Sequence, residues 1–342
     1  MPPRGRKISR ADAQLWSLAL VLLLVSATFA SLSSRFADLD NLRNVLLQAA
    51  PTTIGAVGMT FVIAARGIDL SIGAIANLAL ALGIAAAGTR SEVAIATDTT
   101  WLVYPVALLA GLLLGALNAV AIVSLRLSAL IATLGTLTLY RGLGLHFTGA
   151  SLIAVRGPIL DFGRAQVLSI GLPVCSALLL AVIGWAVLTE TAAGRQLLAL
   201  GGSPRSAVET GLRTKRLLVL AYAASGLCGA VAGLIMVGRV GMVNPDLGYG
   251  MEFTVITAVV LGGTSLFGGR GQHARHGTGK SVARHDRQWH DPDRRQPLLL
   301  RCRTWPDTAC RRLRGRGLGV FAGTQIAGHC GTTTMIGVPS QR

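Results

Sequence analysis

Long apolar runs separated by short polar stretches fill most of the chain before residue 272. Each run is about 20 residues long, the length that an α-helix needs to cross the hydrocarbon core of a membrane. Inside lipid every backbone N–H and C=O must be bonded within its own segment, so the runs predict helices. The eight predicted spans are residues 14–33, 48–65, 70–88, 101–124, 128–148, 168–188, 217–238 and 251–268.

The composition agrees with this pattern. The chain is 51% hydrophobic and only 14% charged, with a mean hydropathy of +0.57, whereas a soluble domain averages roughly 25% charged residues. The fold class that we predict is all-α, a polytopic transmembrane helical bundle. The first apolar run follows basic residues like a signal peptide, but further spans follow it, which favours a retained signal-anchor.

Basic residues set the predicted orientation. Residues 1–13 form a basic N-terminus, which the positive-inside rule keeps in the cytoplasm. Six spans later the loop at 189–216 should face the cytoplasm too, and it carries five basic residues against two acidic ones. The even number of spans between the N-terminus and this loop, and the basic charge of both, therefore agree that the N-terminus lies in the cytoplasm.

The net charge of +17 first suggests a nucleic-acid partner, but its distribution argues against one. Residues 272–342 hold thirteen of the 32 Lys and Arg residues and only four acidic residues, a net charge of +9. The remaining excess is normal for a membrane protein, whose basic residues collect in cytoplasmic loops. We therefore predict no nucleic-acid binding.

Catalytic and metal-binding motifs do not withstand inspection. The GTGKS at residues 277–281 would be the end of a phosphate-binding loop, but the leading glycine is replaced by Ala274 and no apolar strand precedes it. The histidines and cysteines of the same region fit no zinc spacing. We expect no catalytic residue, no metal and no cofactor.

Glycines four residues apart punctuate two of the predicted spans. The pairs are Gly111 with Gly115 and Gly229 with Gly233. This spacing lets the backbones of two helices approach closely in lipid. Close packing is the interpretation that we favour.

A single carboxylate interrupts an apolar stretch at Asp69, within Gly67–Ser71. An ionised aspartate near membrane depth is costly unless it is paired or hydrated. Asp69 could cap the N-terminus of the next helix, where the helix dipole favours an anion, or it could contact a substrate. Both interpretations stay open.

Other polar residues lie in or beside the apolar spans, and buried polar groups need hydrogen bonds. They could bond neighbouring helices, or line a path for a sugar, which is recognised through convergent hydrogen bonds. They are Asn77, Asn118, Thr133, Thr136, Tyr140 and Asn244. For a possible translocation path the candidates are Asp69, Asn118, Thr133, Thr136 and Tyr140.

The loop at 189–216 contains the signals of a short helix. Ser203 is suited to the N-cap, Pro204 to the first helical position and Gly211 to the stop. A short helix in a cytoplasmic loop of a membrane protein is either a docking element for a partner or a solvated connector.

Four stretches resemble one family in their order and spacing. They are GMTFVI at 58–63 running into GIDLSIG at 67–73, LIATLGT at 130–136 with YRGL at 140–143 and TG at 148–149, GR at 194–195 leading through ALGGSP at 199–204 to Gly211, and AVVLGGTSLFGGRG at 258–271. Together they resemble the permease subunit of bacterial ABC sugar importers of the ribose/xylose/galactose type, from about residue 36 to residue 271. One departure is Arg66, where the family usually has a small residue, often glycine; we expect it to be tolerated, because an arginine at a helix end can keep its head group in water.

The resemblance implies a function and partners. The permease domain would be residues 14–271, with eight helices retained of ten in intact relatives. The chain would be the pore subunit of a binding-protein-dependent monosaccharide importer in the bacterial inner membrane. It would work with a cytoplasmic ATP-binding subunit, a periplasmic sugar-binding protein and a second permease copy, in a homodimer or a heterodimer. The coupling helix that docks on the ATPase would consist of residues including Ser203, Pro204, Arg205, Ala207, Glu209 and Gly211.

Two alternatives remain open at this point. The first is a permease of the same family for a non-sugar substrate, such as a furanosyl signal, a nucleoside or a branched amino acid. The second is a truncated remnant that inserts into the membrane and transports nothing.

The composition changes abruptly after Gly269–Gly271, where the family continues with apolar spans. Read one base later, the codons for His285–Asp293 permit Met-Ile-Gly-Asn-Gly-Met-Thr-Leu-Ile, which resembles the missing continuation. We therefore expect residues 272–342 to be a +1 frameshift product, by mutation or sequencing error, that forms a disordered Arg-rich tail. The nucleotide sequence tests this hypothesis, because intact related genes with the same frame through the junction would contradict it.

Overall fold

The computed structural model describes residues 10–87, 100–155, 157–167 and 169–264. The tail predicted at 272–342 lies outside the described residues, so the frameshift hypothesis stays a prediction. The helices are α1 (Arg10–Leu32), α2 (Leu39–Ala64), α3 (Ile72–Ala86), α4 (Val103–Leu125), α5 (Ala129–Thr148), α6 (Pro158–Arg164), α7 (Leu172–Glu190), α8 (Ala192–Gly202), α9 (Pro204–Glu209), α10 (Thr214–Val240) and α11 (Met251–Leu261). Short 3-10 turns lie at Ser34–Ala37 and Thr100–Leu102.

Within the described ranges, four two-residue strands lie in the loops between helices. They are β1 (Ile153–Ala154), β2 (Gln166–Val167), β3 (Ile170–Gly171) and β4 (Met242–Val243). β1 pairs with β4 in antiparallel register, Ile153 opposite Val243, and β2 pairs with β3. These strands could not be predicted, since each is too short for an alternating pattern of apolar and polar residues.

The predicted all-α fold is confirmed, and each of the eight predicted spans overlaps a helix. Among the described residues, four helices are long and apolar enough to cross a membrane by length and composition: α2, α4, α7 and α10. α3 and α11 are shorter, with 15 and 11 residues. The number of spans therefore stays a prediction.

α3 is the central helix of the bundle. Twelve of its 15 residues are buried, whereas α7, which is similarly apolar, has three buried residues. α3 packs against α4, α5, α10 and α11. A helix that is apolar on every side and enclosed by others belongs to the core.

Glycines allow the closest helix approaches, as the spacing predicted. On α4 a Cβ at Gly111 would lie 2.6 Å from the carbonyl oxygen of Gly226 on α10, and a Cβ at Gly115 would run into the carbonyl oxygen of Tyr222. On α10 a Cβ at Gly229 or Gly233 would come within 3.0 Å of a backbone oxygen of α3. α10 therefore packs between α4 and α3, with its backbone in direct contact with the backbones of both helices.

The outward faces of the helices are apolar. On α4, Leu109, Leu113 and Leu117 are all more than half exposed, and on α7 so are Leu178 and Val182. A soluble protein rarely exposes continuous apolar surface of this kind, because water makes it unfavourable. Lipid is the solvent that suits it.

Candidate functional site

The break between α2 and α3 is the first candidate site. Seven residues, 65–71, separate the two helices, and Arg66 adopts a left-handed conformation with φ of 64°. That conformation favours glycine, which accounts for the small residue usual in the resembling family. A Cβ at Gly67 would lie 2.5 Å from the hydroxyl of Tyr222, so the break is pressed against α10.

Asp69 is fully buried in this break and both of its oxygens accept hydrogen bonds. Its Oδ1 accepts from the backbone N–H of Ser71 at 3.0 Å and from the Ser71 hydroxyl at 2.6 Å. Its Oδ2 accepts from the hydroxyl of Ser225 on α10 at 2.8 Å. The carboxylate therefore joins the start of α3 to the middle of α10.

Two further side chains extend the network to α4 and α5. The amide nitrogen of Asn118 donates to the Ser71 oxygen at 2.7 Å and to Asp69 Oδ1 at 3.5 Å. The hydroxyl of Tyr140 donates to the Asn118 carbonyl oxygen and to the backbone oxygen of Leu114, each at 3.1 Å. Asp69, Ser71, Asn118, Tyr140 and Ser225 form what we call the Asp69 hub.

Of the other path candidates, Thr133 lies beside the hub and Thr136 does not join it. The Thr133 hydroxyl donates to the backbone oxygens of Ala129 and Ile68, at 2.8 and 3.3 Å. The Thr136 hydroxyl donates to the backbone oxygen of Thr133 at 3.3 Å, within its own helix. The structure thus brings together four of the five candidates.

Asp69 holds the turn that leads into α3 and is not itself the N-cap. α3 begins at Ile72, with Ser71 as its N-cap. A hydrogen bond from a backbone N–H two residues on is typical of an aspartate that organises a turn. With full burial and both oxygens engaged, this geometry favours the structural interpretation of Asp69 over substrate contact.

The short helix predicted in the 189–216 loop is confirmed as α9. Ser203 is its N-cap and accepts from the Ser206 N–H at 3.3 Å, and Pro204 is its first residue. Gly211, with φ of 76°, follows the last turn in the left-handed conformation. The sequence signals therefore marked both ends correctly.

One face of α9 is packed and the other is open. Ala207 is buried in a cluster with residues of α8, α10 and the end of α2, namely Ala64, Ala65, Leu197, Leu200, Leu217 and Ala221. Arg205 and Glu209 form an exposed ion pair with a nitrogen–oxygen distance of 3.1 Å, and Val208 beside them is 64% exposed. Such an exposed pair contributes little to stability, so this face is available to a partner.

The sequence missed some of the residues that the sites use. α8 was part of a predicted loop, because its glycines and Arg195 hid the buried pair Leu197 and Leu200. Ser225 gave no signal, since a lone serine in an apolar helix often bonds only its own backbone. Its bond to Asp69 spans 156 positions of sequence.

With this geometry established, residues 41–269 match the family described as the permease component of the branched-chain amino acid transport system. That match covers more than half of the chain. The chain belongs to this permease family. The Asp69 hub and α9 both lie inside the matched region, and the resemblance noted in the sequence is confirmed.

Individual relatives of the permease are similar over most of its length. The ribose import permease protein RbsC of Haemophilus influenzae is 36% identical over 258 residues, 74% of this chain and 78% of that protein. The D-allose transport system permease protein AlsC of Escherichia coli is 32% identical over 254 residues, 74% and 76% of the two chains. The autoinducer 2 import system permease protein LsrD of E. coli is 35% identical over 267 residues, 75% and 78%. No solved structure matches the permease.

Proposed function

We propose that this chain is the membrane-spanning permease subunit of an ATP-driven importer that takes up a monosaccharide. The observation that carries the proposal is its similarity to permeases named for ribose and D-allose over about three quarters of the chain. The chain lies in the bacterial inner membrane with its N-terminus in the cytoplasm. ATP hydrolysis takes place in a separate cytoplasmic subunit, and a periplasmic binding protein and a second permease copy complete the importer.

Reconstitution in liposomes tests this function. The permease would be combined with its ATP-binding subunit and binding protein, and uptake of labelled D-ribose and D-allose measured. We expect ATP-dependent uptake of a monosaccharide. A second candidate, import of autoinducer 2, is favoured by the similarity to LsrD, and uptake of that compound alone would select it. Absence of monosaccharide uptake would contradict the proposed function.

We infer that α9 is the element that receives movement from the ATP-binding subunit. Its support is the combination of a buried anchor, Ala207, with an exposed face made of Arg205, Val208 and Glu209. The anchor packs α9 against α8 within a cluster that also includes residues of α10 and of the end of α2, so a partner that displaces α9 acts on this cluster. Ser203, Pro204 and Gly211 act by fixing where this helix begins and ends.

A double substitution of the open face tests the coupling role. Arg205→Glu with Val208→Pro reverses a surface charge and removes a backbone N–H from the helix. We expect substrate-stimulated ATPase activity to fall at least about tenfold, which corresponds to about 1.4 kcal/mol of docking free energy. The amount of permease in the membrane should not change, because both side chains are exposed.

Lys215→Glu is the matched control for that experiment. Lys215 is exposed in the same predicted cytoplasmic loop but lies on α10, outside α9. The control should keep its stimulated ATPase activity. Normal substrate-stimulated ATPase activity in the double variant would show that α9 does not take part in coupling.

We propose that the Asp69 hub holds the helices around the translocation path in register. Asp69, Asn118, Thr133 and Tyr140 are almost completely buried and are bonded to one another or to the break. Thr136, one turn from Thr133, is the candidate that lies outside the hub and is only half-buried, with its hydroxyl bonded to its own helix. This assignment gives the hub a positioning role and leaves substrate contact to other groups.

A further inference from the structure

A second group of buried polar side chains lies on α3, α5 and α11. Asn77 on α3 donates through its Nδ2 to the backbone oxygen of Pro245 at 3.0 Å, but its Oδ1 has no hydrogen-bond partner within the described chain. The same holds for Oε2 of Glu252 on α11 and for all three guanidinium nitrogens of Arg141 on α5. Asn77 and Glu252 are 1% and 6% exposed.

Glycine contacts bring these residues into one neighbourhood. Gly73, one turn before Asn77 on α3, lies against the backbone of Gly248, and a Cβ there would be 2.9 Å from Glu252 Oε2. Gly144 is one turn beyond Arg141 on α5, and a Cβ there would run into Asn77 Oδ1. A side chain at either glycine would collide with one of the polar atoms that lack a partner, so the absence of a Cβ leaves those atoms accessible from that side.

An aromatic ring lies against Arg141 of this group. The guanidinium carbon of Arg141 lies 4.7 Å from the centroid of the Tyr249 ring, next to Gly248 in the loop between β4 and α11. The Tyr249 side chain is 75% exposed. The ring therefore has Arg141 on one face and can receive a flat apolar surface on the other.

Leaving these groups unpaired is costly. A buried donor or acceptor without a partner keeps its full desolvation penalty, and the penalty is larger if the group is charged. Among the described residues, the three guanidinium nitrogens of Arg141 and the Oε2 of Glu252 have no hydrogen bond. Most buried polar groups in proteins are satisfied, so exceptions call for an unseen partner.

The chemistry of the group indicates what that partner is. A guanidinium can only donate hydrogen bonds, a carboxylate accepts them, and an amide oxygen accepts them. An anionic ligand would be repelled by the carboxylate of Glu252, and a cationic ligand would be repelled by the guanidinium of Arg141. A ligand hydroxyl suits both groups, because it can donate and accept hydrogen bonds. An exposed aromatic ring adds a surface for the C–H face of a sugar ring.

The surrounding backbone supports a place on the transport path. Two segments that are neither helix nor strand, 65–71 and 244–250, flank the buried start of α3. In the second segment Leu247 and Gly248 are buried, and Gly248 touches Gly73 in the first turn of α3. Irregular backbone at membrane depth is tolerated only where protein buries it or where it lines a watery cavity. Interrupted helices of this kind often surround the substrate of a transporter.

We propose that Asn77, Arg141 and Glu252, with the ring of Tyr249, form a contact site for a neutral polyhydroxylated ligand, the monosaccharide in transit. The proposal rests on the proposed function and adds to it the residues that touch the substrate. Glu252 accepts from ligand hydroxyls, Arg141 donates to ligand oxygens, and Asn77 accepts through its free oxygen. Tyr249 covers one face of the sugar ring.

Uptake by the reconstituted importer of a transported sugar and of its monodeoxy analogues tests the site. Glu252→Gln keeps the size of the side chain and removes its charge. We expect uptake of the parent sugar to fall about tenfold to a hundredfold, as for a lost hydrogen bond to a charged group. Uptake of the analogue that lacks the contacted hydroxyl should change little, so the preference for the parent sugar should collapse.

The ratio of the two uptake rates separates contact from structural damage. The binding protein is the same in wild type and variant, so its own preference cancels from the comparison. Glu190→Gln, the same change at an exposed position of α7, should leave rates and ratio unchanged. An equal fall for the parent sugar and for every analogue would overturn the contact role and leave the proposed function intact.

Tyr249 supplies a variant that does not depend on a buried residue. Because its side chain is mostly exposed, Tyr249→Leu should fold, and it removes the stacking ring; we expect uptake to fall about tenfold. Tyr249→Phe keeps the ring and should retain near wild-type uptake. Equal uptake by both variants would contradict the site, whereas absence of monosaccharide uptake by the wild type would overturn the proposed function itself.

Discussion

Replacing Asp69 with alanine is expected to destabilise the permease by about 3–5 kcal/mol. The substitution removes the acceptor of Ser225 and of Ser71 and leaves their hydroxyls buried without that partner. Hydrogen bonds to a charged group contribute about 1.5–3 kcal/mol each. In detergent the midpoint of thermal unfolding should fall by about 10 °C, at roughly 2–4 °C per kcal/mol.

Two further variants calibrate that result. Asp69→Asn keeps one acceptor oxygen and should fall between wild type and Asp69→Ala. Asp38→Ala removes an exposed carboxylate that makes no side-chain cap bond to α2, and its unfolding midpoint should match the wild type. If Asp69→Ala unfolds at the same temperature as Asp38→Ala, the hub does not hold the helices together.

Replacing Gly226 with leucine should prevent α4 and α10 from packing. A Cβ at this position would run into the carbonyl oxygen of Gly111 and lie 2.9 Å from the Cα of Gly115. The opposing atoms are backbone on a helix, so no rotamer change can relieve the clash. Overpacking usually costs about 1–3 kcal/mol, and we expect more here. Size-exclusion chromatography in detergent should show the loss of most monodisperse protein.

Gly135→Leu makes the same substitution where there is room for it. Gly135 lies on an exposed face of α5, and a Cβ there would meet nothing within 4 Å. The change should alter stability by no more than about 0.5 kcal/mol, and Gly226→Ala should be milder than Gly226→Leu. A normal elution profile for Gly226→Leu would show that the two helices can separate without loss of the fold.

The length of the apolar runs predicted the helices well, because hydrocarbon thickness fixes how many apolar residues a span needs. The ends of α9 could also be predicted from the sequence, since Ser203, Pro204 and Gly211 each have a local conformational preference. These features depend on neighbours in sequence. They could be predicted without knowledge of which helices pack against each other.

The central place of α3 could not be predicted. In water a buried face is recognised because the opposite face is polar, but in lipid both faces are apolar and the contrast disappears. α3 and α7 therefore look alike in composition, although one is enclosed and the other is exposed. How far a helix is buried in the bundle depends on glycine contacts such as that of Gly233 with α3. The two sides of such a contact lie far apart in the sequence.

The polar residues show the same limit. Asn118 and Tyr140 were recognisable as groups that need partners, but their link to each other and to Asp69 follows from the packing of three helices. Arg141 was noted only as part of the YRGL motif and Glu252 was not noted, because a charge near a span end often reaches water. Their burial without a partner is visible only once α3, α5 and α11 are in place.

The break at 65–71 lies between the cluster that anchors the proposed coupling helix α9 and the proposed sugar contact site. Ala65 packs in the cluster that anchors α9, and Gly73, two residues beyond the break, touches Gly248 beside Tyr249. If α9 receives movement from the ATP-binding subunit, as we propose, the break is a short chain segment that joins its cluster to the proposed sugar contact site. We therefore expect substitutions at 65–71 to change substrate-stimulated ATPase activity and sugar preference together.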